Sequence, residues 1–160
     1  MCDSTCDRTM YWSGGGSIFK AEMDGSNLVK IVKDLGAPAG IAVDLGALHL
    51  FWVDHNTNTV QSSYLNGTSV QLVAQLRYVD KPWGVAVDGD RLFWGNYASK
   101  SIQTSDRTGQ DVRTLYNGTH FIQHLTLGAR NPAQTRQNHC EGQTCSGICV
   151  LTAKSFRCIP

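Results

Sequence analysis

Residues 50–54, Leu-Phe-Trp-Val-Asp, decide the fold of this 160-residue chain because their pattern recurs on both sides of them. An aromatic residue again precedes tryptophan at residues 10–13, Met-Tyr-Trp-Ser, and at residues 92–96, Leu-Phe-Trp-Gly-Asn. The three tryptophans are 40 and 42 positions apart. A period between about 20 and 50 residues is typical of repeat architectures, so we expect a protein built from similar structural units.

The sequence of each unit predicts several short β-strands separated by tight turns. A strand-like stretch follows the polar loop after each tryptophan, at residues 17–23, 59–65 and 101–106. A turn with glycine ends each stretch, and Asp-Gly or Asn-Gly favours a hairpin because both residue types tolerate a positive φ. These turns are Asp24-Gly25, Asn66-Gly67 and Thr108-Gly109.

A proline begins the strand that precedes the tryptophan motif. Residues 38–44 read Pro-Ala-Gly-Ile-Ala-Val-Asp and residues 82–88 read Pro-Trp-Gly-Val-Ala-Val-Asp, whereas a third copy at residues 122–127 is degraded. Four strands in a unit of about 40 to 45 residues are typical of a β-propeller blade. A β-sandwich would not repeat the tryptophan, the turn glycine and the proline in the same order, so we expect an all-β propeller fold.

The aromatic-Trp-x-Asp motif, preceded by Gly-Ile/Val-Ala-Val-Asp, resembles the YWTD repeat of the low-density lipoprotein receptor family. The resemblance covers about residues 8–130 and implies about three four-stranded blades, the C-terminal half of a six-bladed disc. Residues 136–160 resemble a truncated form of the EGF-like module that follows such propellers, with the spacing Cys140-x4-Cys145-x3-Cys149-x8-Cys158.

The repeat register assigns Trp12, Trp52 and Trp94 to the packing between blades, because a tryptophan side chain buries a large area. The resemblance adds Asp54, since the family uses the aspartate after the tryptophan in polar contacts that hold blades together. Ser13 and Asn96 stand at the other two positions, so we expect two of these contacts to be weakened or altered.

Five residues form the predicted set of ligand contacts. Trp83 stands at a strand start where the other copy has Ala39, and an exposed aromatic residue there is a typical interface anchor. His55 follows the second tryptophan motif, and His124 replaces a glycine in the third strand start; the resemblance links such histidines to ligand release at endosomal pH. The alternative is that Trp83 packs down and the histidines are ordinary surface residues. The set is Trp83, His55, Asn96, Tyr97 and His124.

The cysteines lie at the two ends of the chain and indicate an oxidising compartment. The resemblance implies the disulfides Cys140–Cys149 and Cys145–Cys158, although four cysteines permit three connectivities. A zinc site is the alternative, and it is disfavoured because no Cys-x2-Cys pair is present. Cys2 and Cys6 pair with each other, pair with sequence outside this chain, or stay free.

Two sites fit the N-glycosylation pattern Asn-x-Thr, at Asn66 and at Asn117. Asn66 lies in a predicted hairpin turn, where an acceptor would be exposed. The alternative is that Asn-Gly serves only as a turn former, since it favours type I′ turns with or without a sugar.

Several classes of function are disfavoured. A net charge of +1 without a basic stretch argues against a nucleic-acid partner. No apolar run is long enough to span a bilayer, so we expect no direct membrane insertion, and the N-terminus lacks the features of a signal peptide. The motifs Gly-x-Ser-x-Gly, Gly-Lys-Ser/Thr and His-Glu-x-x-His are absent, so we expect no enzyme, and neither a cofactor nor a metal ion.

These observations favour an extracellular protein-binding module. The resemblance implies an endocytic or Wnt co-receptor-like signalling receptor related to the low-density lipoprotein receptor, of which the chain is a fragment or short isoform. Its place would be extracellular or in the ectodomain of a single-pass receptor. The expected partners are extracellular proteins, and uncovered blade faces predict self-association. The alternative is a standalone secreted or matrix protein of nidogen type that self-associates; a propeller hydrolase is disfavoured by the apolar inner strands.

Overall fold

The computed structural model of the chain describes residues 9–126, 148–151 and 156–159. The chain divides into two compact units, Met1–Leu127 and Gly128–Pro160. The predicted domain limits, 8–130 and 136–160, fall on residues outside the described ones and stay predictions. The described residues form β-strands and turns without a helix, which confirms the all-β prediction. The described part of the chain therefore has no helix that could cross a bilayer.

The first unit contains three antiparallel sheets, each a simple meander in chain order. The first sheet consists of β1 (Thr9–Gly14), β2 (Ser17–Glu22) and β3 (Val29–Val32). The second consists of β4 (Pro38–Asp44), β5 (His49–Asp54), β6 (Thr59–Tyr64) and β7 (Gln71–Gln75). The third consists of β8 (Pro82–Asp88), β9 (Arg91–Asn96), β10 (Ser101–Asp106) and β11 (Arg113–Asn117). In the second unit, β12 (Ile148–Leu151) and β13 (Phe156–Ile159) form an antiparallel pair.

The second sheet is apolar on both faces because it packs between the other two. Successive residues of a strand point to opposite faces, so β5 presents Leu50 and Trp52 on one face and Phe51 and Val53 on the other. The first pair packs in a cluster with Ile18 and Val32 of the first sheet. The second pair packs in a cluster with Val85, Leu92 and Trp94 of the third sheet.

The three repeated tryptophans occupy equivalent strands but differ in burial. Trp52 and Trp94 are fully buried between sheets. Trp12 lies in β1 on the face of the first sheet that points away from the second sheet; its ring stacks on Phe19 with centroids 5.6 Å apart. The side chain of Trp12 is 38% exposed, because no other described sheet packs on that face.

We call β4 and β8, the first strands of the second and third sheets, the inner strands. They approach each other closely where each carries a glycine. A Cβ atom at Gly40 would lie 2.7 Å from the carbonyl oxygen of Trp83 and 2.8 Å from the Cα of Gly84. A Cβ atom at Gly84 would in turn lie 3.0 Å from the backbone nitrogen of Leu125. Residues 123–125 therefore lie beside β8 as β8 lies beside β4, although the degraded third copy is not a strand over residues 122–126.

Two ends of the stacked sheets carry different residues. We call the end with the β5–β6 and β9–β10 turns the upper end, and the end with the β4–β5 and β6–β7 turns the lower end. The starts of β4 and β8 also lie at the upper end, because antiparallel neighbours run in opposite directions.

Candidate ligand-binding site

Four aromatic side chains form a continuous row at the upper end, which we call the aromatic row. The rings of His55 and Trp83 meet edge to face with centroids 5.0 Å apart. Trp83 and Tyr97 are 5.8 Å apart, and Tyr97 stacks on Phe121 at 4.4 Å. The Nζ atom of Lys100 lies 5.2 Å from the Phe121 ring centroid, within the range of a cation–π contact.

The repeat itself positions two members of the row. His55 and Tyr97 each stand three residues after a buried tryptophan, in the turns that follow β5 and β9. The backbone N–H of His55 donates to the carbonyl of Ala37, and that of Tyr97 donates to the carbonyl of Lys81, both at 2.9 Å. These equivalent bonds tie each turn to the linker before the inner strand, and they place Trp83 at the start of β8 between the two side chains.

A cleft of about 410 Å³ opens beside the row. Its lining includes three of the predicted ligand contacts together with apolar residues from the start of β4: Pro38, Ala39, Ile41, His55, Trp83 and His124. Trp83 is 38% exposed at this cleft, and His124 is exposed. The close approach of the inner strands brings His124 to the same cleft as His55, because residues 123–125 run beside Gly84.

The prediction that Asn96 contacts a ligand is corrected by the structure. Its side chain is fully buried. The amide Nδ2 donates to Ser101 Oγ and to Gln103 Oε1, both at 2.9 Å. Asn96 is the last residue of β9 and follows Trp94 by two positions, so its side chain shares the buried face of that tryptophan.

Phe121 is the member of the row that the sequence analysis missed. It is 58% exposed and supplies the outer end of the row. Aligning the three strand starts places Phe121 at the position of Ala37 and Lys81, just before the residue equivalent to Pro38. A large aromatic residue at a linker position was therefore the signal available in the sequence.

Comparisons with known proteins agree with this architecture. The sequence profile of the low-density lipoprotein receptor repeat class B family matches residues 8–45. A vitellogenin receptor of Drosophila melanogaster is 33% identical over 148 residues, which is 89% of this chain and 7% of the receptor. Low-density lipoprotein receptor-related protein 5 of Homo sapiens is 27% identical over 150 residues, 92% of this chain and 9% of that protein. The chain therefore carries a low-density lipoprotein receptor class B repeat at residues 8–45, and it resembles these receptors over about nine tenths of its own length.

Solved structures show the same fold. The chain superposes on a nidogen/laminin complex structure with a TM-score of 0.64 and 28% identity, over 70% of this chain and 45% of that one. A gluconolactonase from Xanthomonas campestris, with a TM-score of 0.60 and 17% identity over 71% of this chain and 45% of that one, shares the fold alone. The described sheets thus form part of a β-propeller, and the chain spans less than a tenth of the curated receptors above.

In the second repeat, Asp54 ties the linker before β4 to the end of β5. Its buried carboxylate accepts the backbone N–H groups of Gly36 at 2.8 Å, Ala37 at 3.1 Å, and Asn56 and Thr57 at 3.0 Å. Burial raises the pKa of Asp54, but the hydrogen bonds from Thr57, Ala37 and Gly36 outweigh it and hold the pKa below its usual value. The ionised form therefore stabilises the linker.

In the third repeat, the linker before β8 is held by other groups. Asp80 stands at the position of Gly36, and its buried carboxylate accepts hydrogen bonds from the backbone N–H of Arg77 at 3.1 Å and from the guanidinium of Arg77 at 2.8 Å. The backbone carbonyl of Asp80 accepts the N–H of Ala98 at 3.2 Å. In the first repeat, Ser13 Oγ donates to the carbonyl of Ala39 at 2.6 Å, which joins the first and second sheets.

The remaining predicted sites divide between described and undescribed residues. Asn66 and Asn117 are both exposed, at the lower and the upper end respectively. Cys149 and Cys158 are opposite each other in the backbone register of β12 and β13. Cys2, Cys6, Cys140 and Cys145 lie outside the described residues, so the disulfides Cys140–Cys149 and Cys145–Cys158, like the EGF-like module, stay predictions.

Proposed function

We propose that the chain is an extracellular protein-binding module and that the aromatic row, with its cleft, binds the ligand. The observation that carries this proposal is the continuity of four aromatic side chains from two neighbouring sheets and the segment after β11. Partly exposed aromatic residues at the centre of a surface are the usual anchors of protein interfaces.

The rigidity of the row supports the same proposal. His55 and Tyr97 lie in turns held by backbone hydrogen bonds to Ala37 and Lys81, and Trp83 is part of β8. Side chains that are already ordered lose little conformational freedom on binding, so more of the contact energy appears as affinity.

The positive charges beside the row would suit a ligand in which an apolar side chain lies next to a carboxylate. Lys100 lies over Phe121, and Lys81 lies over Tyr78 with its Nζ atom 4.1 Å from the ring centroid. Both amines lie at the upper end, so they would attract an acidic group while the ligand's apolar side chain fills the cleft.

The class B repeat and the similarity to these receptors support an extracellular location and a receptor role, and within that role we propose an endocytic or signalling receptor. The nidogen/laminin complex structure favours a second candidate, a secreted matrix-binding protein, because its similarity to this chain reaches 28% identity. We assign the chain no catalytic role. The inner strands β4 and β8 carry Ile41, Ala42, Val85 and Ala86 at their centres, where a hydrolytic propeller would need acidic or metal-binding residues.

Binding is tested by selecting from a random peptide library displayed on phage against the immobilised chain. We expect enriched peptides whose binding falls at least tenfold in Trp83→Ala and Tyr97→Ala. Leu45→Ser at the lower end is the matched control, because it also removes an exposed apolar side chain and should keep full binding. Peptides that bind all the variants equally would refute the proposal. Purified vitellogenin and laminin, probed with the same variants, separate the receptor from the matrix role.

Self-association is a separate proposal, supported by the open face of the first sheet. Met10 and Trp12 are each more than a third exposed there, and Trp12 stacks on Phe19. We expect the 160-residue chain to associate in a concentration-dependent way, and the double variant Trp12→Ser/Phe19→Ser to associate less. Sedimentation velocity measures both. A strictly monomeric chain at all concentrations would show that this face needs no cover.

A further inference from the structure

The lower end of the molecule has its own groove, far along the strands from the aromatic row. This lower groove, of about 790 Å³, lies between the first and second sheets. Its lining includes Tyr11, Met23, Val43, Leu45, Leu48 and Asn66. Met23, Leu45 and Leu48 are 61%, 72% and 60% exposed, so the groove has apolar side chains that nothing in the described part of the chain covers.

We propose that Asn66 carries an N-linked glycan and that the first sugar of this glycan covers the lower groove. Asn66 is at once the acceptor of an Asn-x-Thr site and a residue that lines the groove. Any other occupant would have to share the groove with whatever is attached to the Asn66 carboxamide.

The turn around Asn66 leaves the reactive nitrogen free. The carboxamide Oδ1 accepts the backbone N–H of Thr68 at 3.0 Å and the Thr68 hydroxyl at 2.7 Å. The Nδ2 atom of the same exposed carboxamide has no hydrogen-bond partner among the described residues, and this is the atom to which a glycan bonds. In the transfer, a bond forms between Nδ2 and the sugar C1, Nδ2 loses one proton, and the pyrophosphate of a lipid-linked oligosaccharide leaves.

The same turn is fixed relative to the groove. Gly67 has a φ of 83°, and a Cβ atom there would lie 2.1 Å from the carbonyl oxygen of Ile31 in the first sheet. The turn between β6 and β7 therefore packs directly on the neighbouring sheet. A sugar on Asn66 would start at the rim of the groove in a defined position, and the apolar face of its ring would contact leucine and methionine side chains.

A glycan explains the exposed apolar groove better than a protein partner does. A contiguous apolar patch on a secreted protein marks an interface or needs a solubilising cover. N-linked glycans are bulky, solubilising and surface-bound. Because this one would grow from the groove itself, it would keep other proteins away and leave the upper end as the accessible one.

The inference requires a secreted chain but does not require ligand binding at the aromatic row. Failure of peptide binding would leave it intact, and absence of the glycan would leave the aromatic row intact. Asn117 provides an internal comparison, because it is also an exposed Asn-x-Thr acceptor but follows β11 at the upper end.

The first test is glycosylation of the 160-residue chain, expressed in animal cells with an added cleavable leader. In the N117D chain we expect a mobility shift, reversed by peptide-N-glycosidase F, that is lost when N66D or T68A is added and kept when T68S is added. N66D is the sharp variant, because Asp24 already supports the equivalent turn through hydrogen bonds from Ser26 at 2.6 and 2.9 Å. Analysis of whole cells makes the result independent of secretion. No shift, or a shift that depends on Asn117 alone, would overturn the proposal.

The second test asks whether the first sugar covers the groove. N117D protein with untrimmed mannose-rich glycans is treated with endoglycosidase H, which leaves one sugar, or with peptide-N-glycosidase F, which leaves none. We expect the fluorescence of a hydrophobic dye to rise at least twofold only when the last sugar is removed, and this rise to vanish in L45S/L48S. Equal fluorescence of the one-sugar and sugar-free proteins would contradict the proposal that the first sugar covers the lower groove.

Discussion

The linkers that lead into β4 and β8 make the same backbone hydrogen bond, but the carboxylate that stabilises each of them comes from a different part of the repeat. Both accept an N–H from the turn after the tryptophan strand, at Ala37 and at Lys81. Before β4, the carboxylate belongs to the strand, where Asp54 collects linker N–H groups. Before β8, the carboxylate belongs to the linker, where Asp80 turns back to Arg77. The repeat therefore preserves a shape, and each copy stabilises that shape with its own set of groups.

The two arrangements of the carboxylate cannot both be present at one linker. Gly36 has no room for a side chain, since a Cβ atom would lie 2.9 Å from Asp54 Oδ1. Asn96 at the end of β9 donates to β10 and leaves the linker to Asp80. Changing both residues of a matched pair should therefore cost less than the sum of the two single changes.

The largest effect is expected from Asp54→Ala, which leaves four backbone donors without their acceptor. We expect the free energy of unfolding to fall by about 3 kcal/mol or more, and only by about 1 to 2 kcal/mol in Asn96→Ala, because hydrogen bonds to a charged group are the stronger ones. Urea unfolding of the 160-residue chain measures both. An equal loss in the two variants would remove the difference between the linkers.

A smaller effect is expected when the aspartate of the linker before β8 is introduced at the equivalent position before β4. Gly36→Asp should cost about 2 kcal/mol through crowding and through repulsion between two carboxylates. Adding Asp54→Asn should recover about 1 kcal/mol relative to the sum of the single changes. A double-mutant cycle in urea gives this coupling, and strictly additive values would mean that the two positions do not interact.

Acid should weaken the linker before β4 through protonation of Asp54. The folded-state pKa of Asp54 is lowered, so its contribution to stability is fully present above the unfolded value of about 3.9 and is lost as the pH falls through the lower folded value. We expect Asp54→Asn to flatten the decline in stability below about pH 4, whereas Asn96→Ala should keep the slope of the unchanged chain. Unfolding curves collected from pH 5 down to pH 2.5 would decide this.

The smallest effect is expected from Arg77→Ala. The Arg77 side chain is 70% exposed, so water screens its ion pair with Asp80. In the variant, the backbone N–H of residue 77 still donates a hydrogen bond to that carboxylate. The urea midpoint should shift less than in Asn96→Ala. A larger shift would mean that the side-chain pair, rather than the backbone bond, holds the third linker.

Repetition made most of the fold predictable. The spacing of Trp12, Trp52 and Trp94, with the turn glycines, located the strands to within a residue, because period and turn chemistry are local properties. The error at Asn96 has a physical cause. A residue two positions after a buried tryptophan shares its face, so the position that holds Asp54 in one repeat is a buried position in the next.

The candidate site was only partly predictable, since it depends on contacts between distant parts of the chain. The sequence predicts Trp83, His55, Tyr97 and His124 as separate residues, and their convergence follows from the alignment of Gly40 with Gly84 and of Gly84 with residues 123–125. Phe121 joins through Tyr97, a contact that no local pattern indicates. Long-range packing therefore assembles the row, whereas local patterns supply its members.

The glycine contacts between inner strands also bear on how the molecule is made. Each sheet is a local meander, and each inner strand provides the surface beside which the next one settles. During synthesis the first sheet leaves the ribosome complete before the second emerges, and the second before the third. The blades can therefore fold in the order in which they are translated, and a side chain at position 40 would hinder the packing of β8 beside β4.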